Sequence, residues 1–200
     1  MTRLILLILA ASSLACSAQL QVGVGKRVLT PDPLLPVSGG IGPGRPANKT
    51  LADLYARAMV IESGNTRVAF VAVDFLGFPS ALGDKVRTLV PDIPADHILI
   101  GASHTHSAPD CYGFPGEDGK SSCDLKYLDK VCALTAEALQ DAIASLTPAS
   151  LKIGTDEAQG KIAFNYYADE LYDPRCSVIQ AIATDDRIIG TLVNYAIHPE

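Results

Sequence analysis

His104-Thr105-His106 places two of the chain's four histidines one residue apart, directly after the apolar run Ile98-Leu99-Ile100-Gly101-Ala102 and ahead of Ser107-Ala108-Pro109-Asp110. In extended backbone residues i and i+2 point to the same side, so both imidazoles are expected to share one face where a buried strand runs out. Neutral imidazole is the commonest metal ligand, and its second nitrogen can be oriented by a neighbour. A zinc site takes three or four ligands and this motif supplies at most two. Two readings therefore stand: part of a metal centre, or two hydrogen-bonded histidines in a polar loop. His198 follows the apolar run Thr191 to Ile197. A histidine at the tip of a second core strand favours the metal reading, because α/β sheets gather site residues at strand ends. His97 opens a strand without such company and reads as a surface residue. Asp74, at the end of Val68 to Val73, also has two readings: a carboxylate that orients an imidazole, or a strand-end group that caps its loop.

The elements that must position these residues follow from periodicity. Leu20, Val22 and Val24 alternate with Gln21, Gly23 and Gly25, which predicts an opening strand. Thr30 to Pro46, rich in proline and glycine, reads as loop. Tyr55 to Glu62 and Thr66 to Phe75 are apolar runs separated by Ser63-Gly64-Asn65, the signature of a hairpin. Val68 to Val73 is apolar on both faces and reads as a central strand. Pro79-Ser80 opens a helix carrying Leu82, Val86 and Leu89 on one side, and Asp96 to Ala102 is the next strand. Asp110 to Ser122 is a polar loop. Leu125, Leu128, Cys132, Ala136, Leu139, Ile143 and Leu146 recur every three or four residues, predicting a helix of about 22 residues. Ala149 to Gly154, Arg175 to Thr184 and Ile188 to Ile197 read as three further strands, the last two joined at Asp185-Asp186. Strands interleaved with two helices, some linked by tight hairpins, predict a layered α/β domain with a mixed β-sheet and flanking helices.

At 200 residues the chain suits one well-cored domain. Its net charge of −6 and the lack of a basic stripe argue against a nucleic-acid partner. Residues 1–18 read as a secretory signal peptide: Met1-Thr2-Arg3 is a basic start, Leu4 to Leu14 is apolar apart from Ser12 and Ser13, and Cys16-Ser17-Ala18 precedes a cleavage point at Gln19. The expected location is secreted or periplasmic. A lipoprotein anchor at Cys16 is the alternative, with Ser13 standing where that signal wants leucine. No later run reaches the roughly 18 apolar residues of a transmembrane helix. Export would leave Cys111, Cys123, Cys132 and Cys176, an even number that suggests disulfides with three pairings open. Cys132 lies on the helical apolar stripe and equally reads as a buried thiol. No CxxC spacing is present. Asn48-Lys49-Thr50 matches a glycosylation acceptor, relevant only in a eukaryotic secretory path, and the glycines of Val22 to Gly25 are too few for a nucleotide loop.

Taken together the motifs resemble the neutral/alkaline non-lysosomal ceramidase family. The resemblance is carried by Val22-Gly23-Val24-Gly25-Lys26 leading to Leu29-Thr30-Pro31, by Leu54-Tyr55-Ala56-Arg57-Ala58-Met59-Val60, and by Val71-Ala72-Val73-Asp74. It continues in Ser103-His104-Thr105-His106-Ser107-Ala108-Pro109 and in Asn194-Tyr195-Ala196-Ile197-His198-Pro199, in the family's order and at similar intervals. It implies a zinc amidohydrolase that splits ceramide into sphingosine and a fatty acid, with Zn2+ as cofactor. A sphingolipid or other acyl-amide substrate and a peripheral membrane contact are implied with it. Carried over position by position, His104 and His198 would be zinc ligands and His106 would hold the substrate amide or its developing oxyanion. A Lewis-acid metal beside a hydrogen-bond donor suits that chemistry.

The chain departs from the family at several positions. Ala108 stands where familiar members have glycine, and their Trp or Phe near Tyr195 differs. The family's substrate-binding arginine follows an asparagine, but here Asn165 is followed by Tyr166 and Tyr167; Arg175 is the nearby cation that could substitute. The family's nucleophilic serine and its glutamate and tyrosine ligands fall beyond residue 200. The expectation is that residues 19–200 form the N-terminal portion of a ceramidase-like catalytic domain, incomplete at its C-terminus and inactive alone. Two other functions fit the same residues. One is a metal-dependent hydrolase of other amides or esters. The other is a secreted, disulfide-stabilised module that binds lipid or protein, with Cys111 and Cys123 stapling the loop after the histidines.

Overall fold

A computed structural model describes residues 19–39, 42–160, 162–168 and 171–198. The predicted leader, with Cys16, lies outside them. The alternation at the start becomes strand β1 (Gln21–Val28), which pairs antiparallel with β3 (Tyr55–Ser63) along its whole length. Between them, β2 (Val37–Ser38) interrupts the predicted loop. The Ser63-Gly64-Asn65 turn leads from β3 into β4 (Thr66–Val73), as the hairpin signal predicts. Helix α1 (Ser80–Thr88), with Pro79 at its N-cap, and a single 3-10 turn at Ala95–His97 carry the chain to β5 (Ile98–Ala102), parallel to β4. His97 is part of that turn rather than the strand, and its Nδ1 lies 2.9 Å from the Arg67 carbonyl. The short β6 (Ala108–Pro109) pairs with β2, so the proline-rich segment is pinned beside the histidine motif.

Helix α2 (Leu125–Ala144) is capped by the Asp124 carboxylate, which accepts from the Tyr127 N–H at 2.9 Å. Its buried stripe is broader than the predicted one, adding Tyr127, Val131, Thr135, Ala138 and Ala142, while Leu125 at the first position is exposed. Strands β7 (Thr147–Glu157), β8 (Arg175–Ala183) and β9 (Ile188–Tyr195) follow as an antiparallel meander. β7 begins before the predicted Ala149, with Pro148 inside it at a strand start where proline is tolerated. The strand order is β5-β4-β3-β1-β7-β8-β9, a seven-stranded mixed sheet with two helices, as the layered α/β reading requires.

The two faces of β1 do different work. Val22 faces a small apolar cluster with Met59 and Ala181, bordered by Ile61, Leu151, Ile189 and Leu192. Gly23 and Gly25 face α2, and there a Cβ would sit 2.0 Å from the carbonyl oxygens of Ala142 and Ala138 respectively. Those glycines therefore let the helix lie directly on the strand backbone. Contacts at both ends hold it down. The Tyr127 hydroxyl donates to the Leu29 carbonyl at 2.7 Å, Arg27 forms a two-pronged pair with Asp141, and the Ser145 hydroxyl bridges the N–H and C=O of Val24 at 2.9 Å each. The main core lies between the helices and this sheet face, around Phe75, Val60, Val73, Val86, Val131 and Leu139.

Gly25→Ala should destabilise the fold by about 1–3 kcal/mol through overpacking. Gly154→Ala, on β7 where a Cβ meets nothing within 4 Å, should stay within about 0.5 kcal/mol of the parent. Urea denaturation of both variants measures the contrast.

Candidate metal centre

β4 and β5 run parallel and end side by side, and the loops leaving their carboxyl ends carry the polar groups, as open α/β sheets favour. The Ser103 N–H donates to the Val73 carbonyl at 2.9 Å, adding one more bond to the β4–β5 pairing. The chain then turns sharply at His104, whose φ of 59° lies in the left-handed region, a conformation uncommon for non-glycine residues but enriched in histidine. The motif is thus not the extended segment its spacing predicts. The turn nevertheless brings the rings of His104 and His106 together, with centroids 5.1 Å apart at 87°. Nδ1 of His104 lies 2.5 Å from the Leu76 carbonyl, in the loop after β4. A carbonyl only accepts, so Nδ1 carries a proton, and in the neutral ring Nε2 is then the nitrogen with the lone pair.

His198, three residues past β9, completes the cluster, its ring centroid 4.4 Å from that of His104 and 4.8 Å from that of His106. One nitrogen from each of the three imidazoles lies within 4.8 Å of the others. Bonds of about 2.0–2.1 Å to a tetrahedral zinc ion would set nitrogens roughly 3.4 Å apart, a short side-chain adjustment away. His106 Nε2 is buried with no hydrogen-bond partner, a costly arrangement for a polar atom that a metal or a bound ligand relieves. The donor set and the Nδ1–H of His104 fit a zinc ion, and the orphaned nitrogen fits a metal or a ligand bound beside it.

The partners of Asp74 are those of the loop-capping reading. Its Oδ2 accepts from the Tyr55 N–H at 2.9 Å and from Arg57 at 2.8 Å, and the group that orients His104 is the Leu76 carbonyl instead. Arg175 is engaged by Asp173, with Nη2 at 2.7 Å and Nε at 2.9 Å from its carboxylate oxygens. That pairing holds the Asp173 carboxyl down at about 2. Asn165 accepts from the backbone N–H groups of Tyr167 and Ala168 and so shapes a loop on which Tyr166 and Tyr167 are almost fully exposed. At the foot of the His198 arm the hydroxyls of Tyr195 and Tyr172 are hydrogen-bonded, which pushes Tyr195 up to about 12. A cavity of about 460 Å³ adjoins the motif, bounded by Thr105 and Ser107 and by Leu35, Val37, Leu54 and Asp74.

The expected disulfides are absent: Cys111, Cys123, Cys132 and Cys176 are free. The thiols face separate carbonyls, Cys111 donating to Gly77 at 3.2 Å, Cys123 to Asp110 at 3.4 Å and Cys132 to Leu82 at 3.7 Å. Burial raises the Cys111 thiol to about 11. One residue that the sequence reading quoted without a role stands out. Asp110 is 4% exposed, and its carboxylate accepts from the N–H groups of Tyr112 at 2.8 Å, Gly113 at 3.2 Å and Phe114 at 2.8 Å, and from the Ser122 hydroxyl. Its aspartate type gave no signal, because the donors are backbone groups that any sequence carries.

With the geometry in view, two solved structures share the architecture. The crystal structure of neutral ceramidase from Pseudomonas aeruginosa matches with a TM-score of 0.68 at 20% identity, over 90% of this chain and 32% of that one. A ceramidase complexed with C2 matches with a TM-score of 0.69 at 21% identity, over 90% of this chain and 31% of that one. The fold is therefore ceramidase-like, and the chain spans about a third of the length of these structures. No family model matches the sequence, and no curated protein matches it by sequence.

Thiol titration of residues 19–200 in denaturant without reductant should return four free thiols. In the native protein at pH 8 Cys111 should resist alkylation, because a thiol raised to about 11 is roughly 0.1% thiolate there. A count of two or none would restore a disulfide.

Proposed function

We propose that this chain is the metal-binding part of an exported zinc amidohydrolase that cleaves N-acyl amides of the ceramide type. The observation that carries the reading is the convergence of His104, His106 and His198, with the Nε2 of His106 buried and unpartnered, within a fold that ceramidases share. His104 and His198 would hold zinc. Bound there, zinc supplies Lewis acidity toward an amide carbonyl.

The chain's own residues do the rest of what this segment contributes. The Leu76 carbonyl fixes the proton of His104 on Nδ1 and aims Nε2 into the cluster. His106, protonated on Nε2, donates to the amide oxygen as negative charge develops on it. The cavity beside Thr105 and Ser107, with Leu35, Val37 and Leu54 in its wall, offers apolar surface for the acyl part of the substrate. Phe164, Tyr166, Tyr167 and Leu171 are exposed on one loop, which supports a peripheral contact with a lipid surface. Among the described residues no helix is long and apolar enough to cross a membrane. The basic, apolar and small-residue order of residues 1–18 supports export through a cleaved signal peptide.

In the protein that carries this chain, a chelator should abolish N-acylsphingosine hydrolysis and added zinc should restore it. His106→Ala should keep the zinc and lower kcat by about 10²–10³-fold, the cost of removing one oxyanion donor. Hydrolysis unaffected by metal removal and by His104→Ala would overturn the reading. Tyr166 and Tyr167 follow Asn165 where a cation is expected, and Arg175 is bound to Asp173. This favours, as a second reading, a substrate without the ceramide headgroup. Faster turnover of short acyl esters than of ceramide would establish it.

A further inference from the structure

The orientation of His104 depends on one peptide group, that between Leu76 and Gly77, whose carbonyl receives the imidazole proton. This peptide lies in an irregular loop between β4 and α1, outside any ladder that would hold it. What holds it comes from the other side of the histidine motif. The Cys111 thiol donates to the Gly77 carbonyl, on the next peptide along, at 3.2 Å and so anchors Gly77. The ring of Tyr112 lies against Gly77 so closely that a Cβ there would fall 1.7 Å from its hydroxyl oxygen and 2.6 Å from Cζ. Both residues belong to the turn that Asp110 gathers. Its two carboxylate oxygens take the N–H groups of Tyr112, Gly113 and Phe114, and the Ser122 hydroxyl closes the far end of the loop on the same carboxylate. The Asp110 carbonyl also receives the Cys123 thiol. Asp110 itself is fixed in register by β6, whose Ala108 and Pro109 pair with Ser38 and Val37.

We infer that Asp110 is a positioning residue for the metal centre. Its carboxylate is taken up by the turn itself. It holds Cys111 and Tyr112 against Gly77, and through the Leu76–Gly77 peptide it fixes the tautomer and direction of His104. A buried carboxylate suits this task because it offers two acceptor oxygens and no donor to a turn full of N–H groups. Asparagine in its place turns one acceptor into an NH2 group that faces those donors. The inference rests on the zinc reading only for its consequence in metal affinity; the control of His104 belongs to the metal-free protein and is tested there.

The test is 15N NMR of the imidazoles in the metal-free protein that carries this chain, followed by zinc titration. In the parent, His104 should show one tautomer with its proton on Nδ1, protected from exchange. Asp110→Asn should mix the tautomers of His104 and expose that proton, while backbone signals of α2 stay in place, and should weaken zinc binding about tenfold, as loss of an outer-shell support does. Tyr112→Ala, at a half-exposed position whose loss the fold should tolerate, should move His104 in the same direction. Asp118→Asn, which caps the Lys120 N–H further along the same loop, should leave His104 unchanged. Unaltered tautomer and exchange at His104 in both Asp110→Asn and Tyr112→Ala would overturn the inference, whatever the zinc titration shows. Loss of the Nδ1 proton signal in a chain whose parent binds no zinc would uphold the positioning role and refute the zinc reading.

Discussion

Two residue pairs, Gln21 with Pro148 and Val22 with Thr147, join β1 to β7, with the Ala149 N–H on the Leu20 carbonyl just beyond them, and the candidate site depends on how weakly that short seam ties the sheet. In a flat sheet six strand spacings would separate β9 from β5, about 28 Å. Instead His198, just past β9, has its ring 4.4 Å from that of His104, just past β5. The β7–β8–β9 meander leaves the plane at the seam and folds back over the face of β1 and β3. Apolar side chains drive this: Val22, Met59 and Ala181 are buried between the two halves, with Ile61, Leu151, Ile189 and Leu192 around them. Gly190 permits the approach, since a Cβ there would stand 3.0 Å from Val24 Cγ1 and 3.1 Å from Met59 Cε. A cavity of about 480 Å³ remains along this contact, lined by Met59, Phe70, Ile189 and Val193 among others.

The opposite face provides the fixed side of the arrangement. With α2 seated on Gly23 and Gly25 and pinned by Tyr127, Arg27 and Ser145, strands β1, β3, β4 and β5 form a rigid platform. The loops after β4 and β5 then contribute the Leu76 carbonyl and the two histidines from neighbouring parallel strand ends. One proposed ligand, His198, thus comes from an arm closed by hydrophobic burial, and the other, His104, from a platform closed by close backbone packing. Metal binding across the two would add its free energy to the same fold-back.

Much of this was legible in the sequence because it is local. The hairpin at Ser63-Gly64-Asn65, the apolar stripe of α2 and the strand–helix–strand order of β4, α1 and β5 follow from patterns only a few residues long. The three histidines were legible by type and by their place after apolar runs. What the sequence does not carry is long-range. The glycines of β1 read as an alternation, and only the helix above them shows why no side chain fits. The left-handed turn at His104 replaces the extended geometry that the HxH spacing suggests. Asp74 and Leu76 lie two residues apart, and which of them reaches His104 depends on a loop path that no periodicity encodes. Cysteine parity suggested disulfides, whereas burial near separate carbonyls left the thiols free. Asp110 was invisible because its ligands are main-chain groups.

The fold-back brings His198 from one half of the sheet to His104 and His106 on the other, where the proposed metal would bind. Titration of the protein that carries this chain with cobalt(II), read by its visible absorption, measures whether the two halves share a metal. One equivalent should bind in a low-symmetry environment and be lost in His198→Ala as well as in His104→Ala. No binding, or binding that survives His198→Ala unchanged, would contradict it.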